Sequence, residues 1–198
     1  MITMLIDHTA YAFVPVDSSL HLVMRTIGRF AFPIFAFFIA EGVIKTSDVK
    51  KYTMRLALFG VVSEIFFDRI FFGQFVYNDY QNVYFTLLFG AIACGIMKST
   101  KLSLLQVLGV AACAYCAYYL KTDYGALGVI LIVVFYMAFA PNEDGSLVDR
   151  VSKTPVMVDI RNFMTFIYNG ERGKQFKYLN YAFYPVHLLI LGVIKYGL

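Results

Sequence analysis

The chain has 198 residues, 60% of them hydrophobic and only 15% charged, with a formal net charge of +4 and three cysteines. A soluble domain is ~45–50% apolar and ~25% charged, so a chain with a mean hydropathy of +0.67 has too little polar surface to cover itself in water and is expected to be an integral membrane protein. The basic residues sit in short gaps between apolar runs, where orientation in a membrane accounts for them, and this argues against nucleic-acid binding.

Seven segments approach the ~20 helical residues that cross a hydrocarbon core: 1–16, 27–44, 54–72, 83–98, 102–120, 125–140 and 178–196. Each is expected to be helical, because an apolar segment in lipid must satisfy its own backbone. The runs are continuous rather than alternating, which is unlike barrel strands. The expected fold is all-α: one polytopic transmembrane domain over residues 1–198, with no internal repeat. The N-terminus lacks a basic region followed by a small-residue cleavage site and does not read as a secretory signal.

In chain order, the first span, within MITMLIDHTAYAFVP, carries Asp7 and His8. The second carries Arg29 and Glu41 and is followed by Lys45, Lys50, Lys51 and Arg55; the third carries Glu64, Asp68 and Arg69. Gln81 and Asn82 lead into the fourth, which ends at Lys98 and Lys101, and spans five and six carry almost no charge between their ends. Cys94, Cys113 and Cys116 lie in apolar segments without a histidine or acid at ligand spacing, so they read as packing residues rather than a metal site or disulfides.

The one long loop, 141–177, contains VDIRNFMTFIY, whose Ile160, Phe163, Phe166 and Ile167 fall at helical spacing. That predicts a short helix on the inner membrane surface or one packed on the bundle. In the last span Asn180, Tyr184 and His187 share a helix face, and Pro185 frees a backbone carbonyl.

Twelve of the 17 basic residues follow spans two, four and six, the last group being Arg150, Lys153, Arg161, Arg172, Lys174 and Lys177. The positive-inside rule therefore places those loops and the N-terminus in the cytoplasm and the C-terminus outside.

An ionisable side chain within a span costs roughly 2.5–3.5 kcal/mol on insertion scales, so it should face a cavity or a partner. Asp7 can pair with Arg29, and Glu64 or Asp68 with Arg55 or Arg69, as buried ion pairs that fix packing. His8 and His187 can be hydrogen-bonded core residues. The other reading is a site on one side of the bundle, since the charges concentrate in spans one to three and the last.

The blocks MLIDH, RTIGRFAFPIFAFFIAEGVIKT, KKYTMRLALFGVVSEIFFD, QNVYFTLLFG and YAFYPVHLLIL, in this order, resemble the TraX family. The resemblance implies a membrane acyltransferase of the bacterial cytoplasmic membrane, using acetyl-CoA and acting on a pilin subunit or another envelope component. It is also similar, distantly, to membrane acyltransferases that acetylate surface polysaccharides, in which a histidine of the first span and an arginine are central. By position these are His8 and Arg29, and the same block supplies Glu41.

Acyl transfer from a thioester needs a base, an oxyanion donor and a hold on an anionic donor substrate. His8 is the candidate base, oriented by Asp7 or by another acid. Adjacent helical residues point about 100° apart, so Glu41, Glu64 or Asp68 from a neighbouring helix can serve instead of Asp7. Arg29 can hold a phosphate or the oxyanion. Lys45, Lys50, Lys51 and Arg55 are candidates for the CoA phosphates, and Glu64, Asp68, Gln81, Asn82, Tyr184 and His187 for the acceptor side. The protein or glycan acceptor is not named by these residues, and no metal is expected. A small proton-coupled transporter and a non-catalytic envelope assembly protein remain the competing classes, because intramembrane acids and histidines also serve proton relays and helix packing.

Overall fold

The structure, a computed structural model, describes residues 1–141, 147–168 and 177–197, with side chains for all of these except 177–180. The described residues form helices α1 (Ile2–Phe13), α2 (Ser19–Arg29), α3 (Ala31–Lys45), α4 (Val49–Phe72), α5 (Val83–Ser99), α6 (Ser103–Tyr119), α7 (Gly125–Phe139), α8 (Leu147–Ser152), α9 (Pro155–Ile167) and α10 (Lys177–Tyr196).

Local chemistry sets most of the boundaries. Val14, forced toward the extended region by Pro15, ends α1, and the Ser18 hydroxyl caps α2 by accepting from the His21 N–H at 3.1 Å. The His21 ring then closes the turn with a 3.0 Å bond from Nδ1 to the Val14 carbonyl. Pro33 lacks the N–H that would reach the Arg29 carbonyl and its ring crowds that carbonyl; the helix breaks at Phe30 and resumes as α3. Asp48 caps α4 at the Lys51 N–H, 2.9 Å, and this bond holds its exposed carboxyl below the usual carboxylate range. Gly73, at φ 72°, supplies the left-handed residue that stops α4.

Apart from α2 and α3, which continue one bent run, the helices α1 to α7 alternate in direction between two ends. At one end the Lys98 ammonium donates to the carbonyls of Val43, Ile44 and Thr46 at 2.7–3.1 Å. At the other, Gln81 and Thr122 form a parallel bridge, with bonds from the Gln81 N–H to the Lys121 carbonyl and from the Asp123 N–H to the Gln81 carbonyl. α10 runs parallel to α4, as Tyr181 stacks on Phe59 and Lys195 reaches the Ile70 carbonyl. Small residues let α3, α5 and α7 approach, with Ala36, Ala40, Ala91, Cys94 and Val129 almost wholly buried. The three cysteines are free, two of them buried.

Helices cover all seven predicted segments, with two differences. The first is helical for 12 residues, about 18 Å, and returns as an antiparallel partner of α2. Residues 19–26 form a helix in place of the expected connection, so Arg25 is helical. The bent run Ser19–Lys45 spans 27 residues and is long and apolar enough to cross a membrane; shorter apolar helices occupy Val83–Ser99, Ser103–Tyr119, Gly125–Phe139 and Tyr181–Tyr196. The helix expected around 158–168 is present as α9. Its Phe163, Phe166 and Ile167 are exposed, while Ile160 and Met164 pack on the core. Arg172, Lys174 and the side chains of Lys177 and Asn180 lie outside the described residues.

Candidate functional site

A cavity of about 650 Å³ opens between α1, α3, α4, α5 and α10. Along α3 its wall runs from Ala31 to Lys45, roughly 20 Å of helix. Asp7, His8, Asp123 and Tyr124 line one end and Glu41, Lys45, Tyr52 and Arg55 the other.

His8 and Asp7 diverge, as adjacent helical residues must. Asp7 faces α2, where Arg25 donates to it at 2.6 Å and stacks over Tyr11. Gly28 makes this approach possible, because a methyl group there would overlap the Asp7 carboxylate. The second carboxylate oxygen, Oδ1, is buried without a hydrogen-bond partner. His8 faces α10, with its Nδ1 2.6 Å from Nε2 of His187. Phe71 and Tyr184 meet its ring edge-on at 5.3 and 5.6 Å. His187 in turn bonds the Phe183 carbonyl through Nδ1 at 2.7 Å.

The proline two residues earlier has its own compensation. Pro185 cannot bond the Tyr181 carbonyl, and the Tyr84 hydroxyl of α5 donates to that carbonyl at 2.9 Å. α10 is thereby fastened to α5 just where Tyr184 and His187 are presented.

The remaining predicted site residues are dispersed. Arg29 pairs at 3.7 Å with Asp123 rather than with Asp7 and lies over the Tyr124 ring, half-exposed and off the cavity wall. Glu41 is at the opposite end from His8, bound to Lys45 at 2.7 Å and to the Tyr168 hydroxyl at 3.3 Å. Glu64 accepts from the side-chain amide of Asn82, and Asp68 accepts from the Tyr77 N–H at 2.7 Å. Neither acid meets Arg55 or Arg69; Arg69 donates to the Gly73 carbonyl. Asn82 is wholly buried as the α5 cap, and the Gln81 backbone is used in the bridge to α7. These four residues pin the segment 73–82 and do not line the cavity. Of the basic cluster, Lys45 and Arg55 line the cavity, whereas Lys51 pairs with Asp48 at 3.3 Å and Lys50 is exposed.

Sequence reasoning missed Asp123 and Tyr124. Tyr124 holds φ 67°, a left-handed conformation that is costly for an aromatic residue and concentrates at functional sites; it is clamped between Arg29 and Phe32, the latter ring centroid 3.7 Å away. Burial pushes the Asp123 carboxyl above the usual range, against the Tyr80 hydroxyl bond and the Arg29 charge. The signal in the sequence is faint: an acid in a five-residue connection, with a glycine just after it at the start of α7.

The profile of a family described as TraX protein matches residues 1–195. A curated relative, named as probable fimbrial assembly protein FimC, serogroup H1, from Dichelobacter nodosus, is 27% identical over 98% of this chain and 92% of its own length. No solved structure matches. With the match running almost from end to end, the chain belongs to the TraX protein family.

Proposed function

We propose that this protein is a multi-pass enzyme of the bacterial cytoplasmic membrane that transfers an acetyl group from acetyl-CoA to an amine or hydroxyl acceptor of the envelope. The observation that carries the reading is the cavity itself, which joins two cationic side chains at one end to a packed histidine at the other. In this arrangement the Lys45–Lys98 end faces the cytoplasm, in keeping with the basic residues gathered there.

Arg55 fits an anionic donor: it lines the cavity, and its buried Nε has no hydrogen-bond partner. Together with Lys45 it would hold the phosphates at the inner mouth, leaving Lys50 and Lys51 as orientation signals. The apolar wall of Ile39, Leu56, Leu87 and Phe35 suits a thin, largely apolar arm reaching toward His8. His8 takes the proton of the acceptor as that group forms its bond to the acetyl carbon, and returns it to the sulfur as the carbon–sulfur bond breaks. Tyr184 lines the cavity with its ring edge-on to His8, and its hydroxyl makes no hydrogen bond among the described residues, which makes it our candidate donor for the oxyanion. Arg29 shapes the acceptor mouth through Tyr124 and Asp123.

The test is acetyl transfer and CoA binding by the purified protein in nanodiscs. CoA should stabilise the wild type and His8→Ala alike, with transfer lost only in the latter; Arg55→Gln should weaken CoA binding about tenfold, the loss of one charge-assisted bond. Normal turnover by His8→Ala sinks the mechanism. The name of the relative supports a second reading, a fimbrial assembly protein without chemistry, and absence of any CoA binding would favour it.

A further inference from the structure

We propose that His187 is the positioning residue for His8, fixing its tautomer so that Nε2 is the basic atom offered to the cavity. This rests on the acyl-transfer reading for its consequence, though not for its geometry.

The assignment follows from one carbonyl. The Phe183 oxygen can only accept, so the 2.7 Å contact requires the proton on Nδ1 of His187. A neutral imidazole carries one N–H, which leaves a lone pair on Nε2 of His187. Nδ1 of His8, 2.6 Å away, must then be the donor. His8 is thereby held in its Nδ1–H form with the lone pair on Nε2. The two rings are nearly parallel, at 8°, so donor and acceptor lie close to one plane. His8 lines the cavity and His187 does not. Among the described residues, Nε2 of His8 makes no hydrogen bond.

No carboxylate competes for the role. Asp7 is held by Arg25, Glu41 by Lys45 and Tyr168, Glu64 by Asn82, Asp68 by the Tyr77 N–H and Asp123 by the Tyr80 hydroxyl and Arg29. An imidazole anchored on a helix carbonyl takes the place usually filled by an acid. During transfer the acceptor's proton goes to Nε2 of His8 and from there to the departing sulfur, while the Nδ1 proton stays in its bond to His187 throughout. The positive charge that His8 carries between the two steps is spread along the chain of His8, His187 and the Phe183 carbonyl dipole.

The chain has three histidines, so ¹⁵N-histidine labelling of full-length His21→Gln protein in nanodiscs gives two resolvable rings. Both should be protonated at Nδ1. His187→Phe should release His8 from that tautomer and lower kcat for acetyl transfer by about 10²-fold, with KM for acetyl-CoA unchanged. His187→Gln, whose amide oxygen can accept from Nδ1, should restore the His8 tautomer and recover kcat to within about tenfold. An Nε2–H form of His8 in the parent spectrum overturns the proposal, as does undiminished kcat in His187→Phe or a folded His187→Gln no better than His187→Phe. If the expected spectrum is found but the parent transfers no acetyl group, the acyl-transfer reading fails and the hold of His187 on His8 stands.

Discussion

Replacing Gly28 by alanine sets two opposed effects against each other. By helix propensity alone, Gly→Ala within α2 should stabilise by about 0.8–1.0 kcal/mol. The structure reverses the sign, because the new methyl would stand against Cβ and the carboxylate of Asp7, well inside the ~3.5–4.0 Å at which carbon atoms rest. Cβ is bonded to the backbone of α1 and cannot rotate away, so α1 must retreat by on the order of 1 Å. Overpacking of this kind costs roughly 1–3 kcal/mol, for a net loss of up to about 2 kcal/mol. The functional loss should be larger. A shift of on the order of 1 Å carries the 2.6 Å His8–His187 contact beyond hydrogen-bonding distance, and misplacement on that scale costs about 10²-fold in rate. The assay is thermal unfolding of the purified protein together with acetyl transfer. Gly109→Ala is the control for overpacking away from Asp7, since the nearest atoms to its methyl belong to the side chain of Ile96 on α5, at 2.8 Å. Gly28→Ala with a raised Tm and full activity would refute the reasoning.

Three further outcomes follow from polar contacts between elements. Arg25→Met should destabilise by about 3 kcal/mol, because Asp7 is left buried and charged without its partner, and Arg25→Met combined with Asp7→Asn should recover most of that loss in the same thermal assay. Lys98→Met removes the donor shared by three carbonyls at the end of α3; a loss of about 2 kcal/mol is expected, with faster hydrogen exchange confined to residues 43–49. Tyr84→Phe leaves the Tyr181 carbonyl unsatisfied beside Pro185 and should cost about 1–2 kcal/mol, with wild-type stability in denaturant titration counting against it.

The helices α5, α6 and α7 are legible in the sequence because each is a continuous apolar run, the first of them capped by Asn82. The divergence of Asp7 and His8 is legible too, from helix geometry alone. What the sequence does not reveal is the partner of His8, because contact between α1 and α10 joins residues 179 apart through packing that no local pattern encodes; an acid was expected and an imidazole is found. α2 does not stand out in the sequence because its apolar and polar residues balance, as on an amphipathic helix. Its markers were nevertheless present: Ser18 three residues before His21, and Arg25 and Arg29 one helical turn apart. Glu64, Asp68, Gln81 and Asn82 look like site residues in the sequence, but the fold uses them to anchor the connection into α5.

The bond from Tyr84 to the carbonyl that Pro185 leaves bare also constrains the order in which such a pair can arise. A chain that gains the proline first exposes an unsatisfied carbonyl within the bundle, whereas one that gains the tyrosine hydroxyl first merely shares a carbonyl that still has a second lone pair. The tyrosine is therefore the permissive change and the proline the dependent one. Among relatives, tyrosine without proline should be tolerated at these two positions, and proline without a hydroxyl donor should be rare.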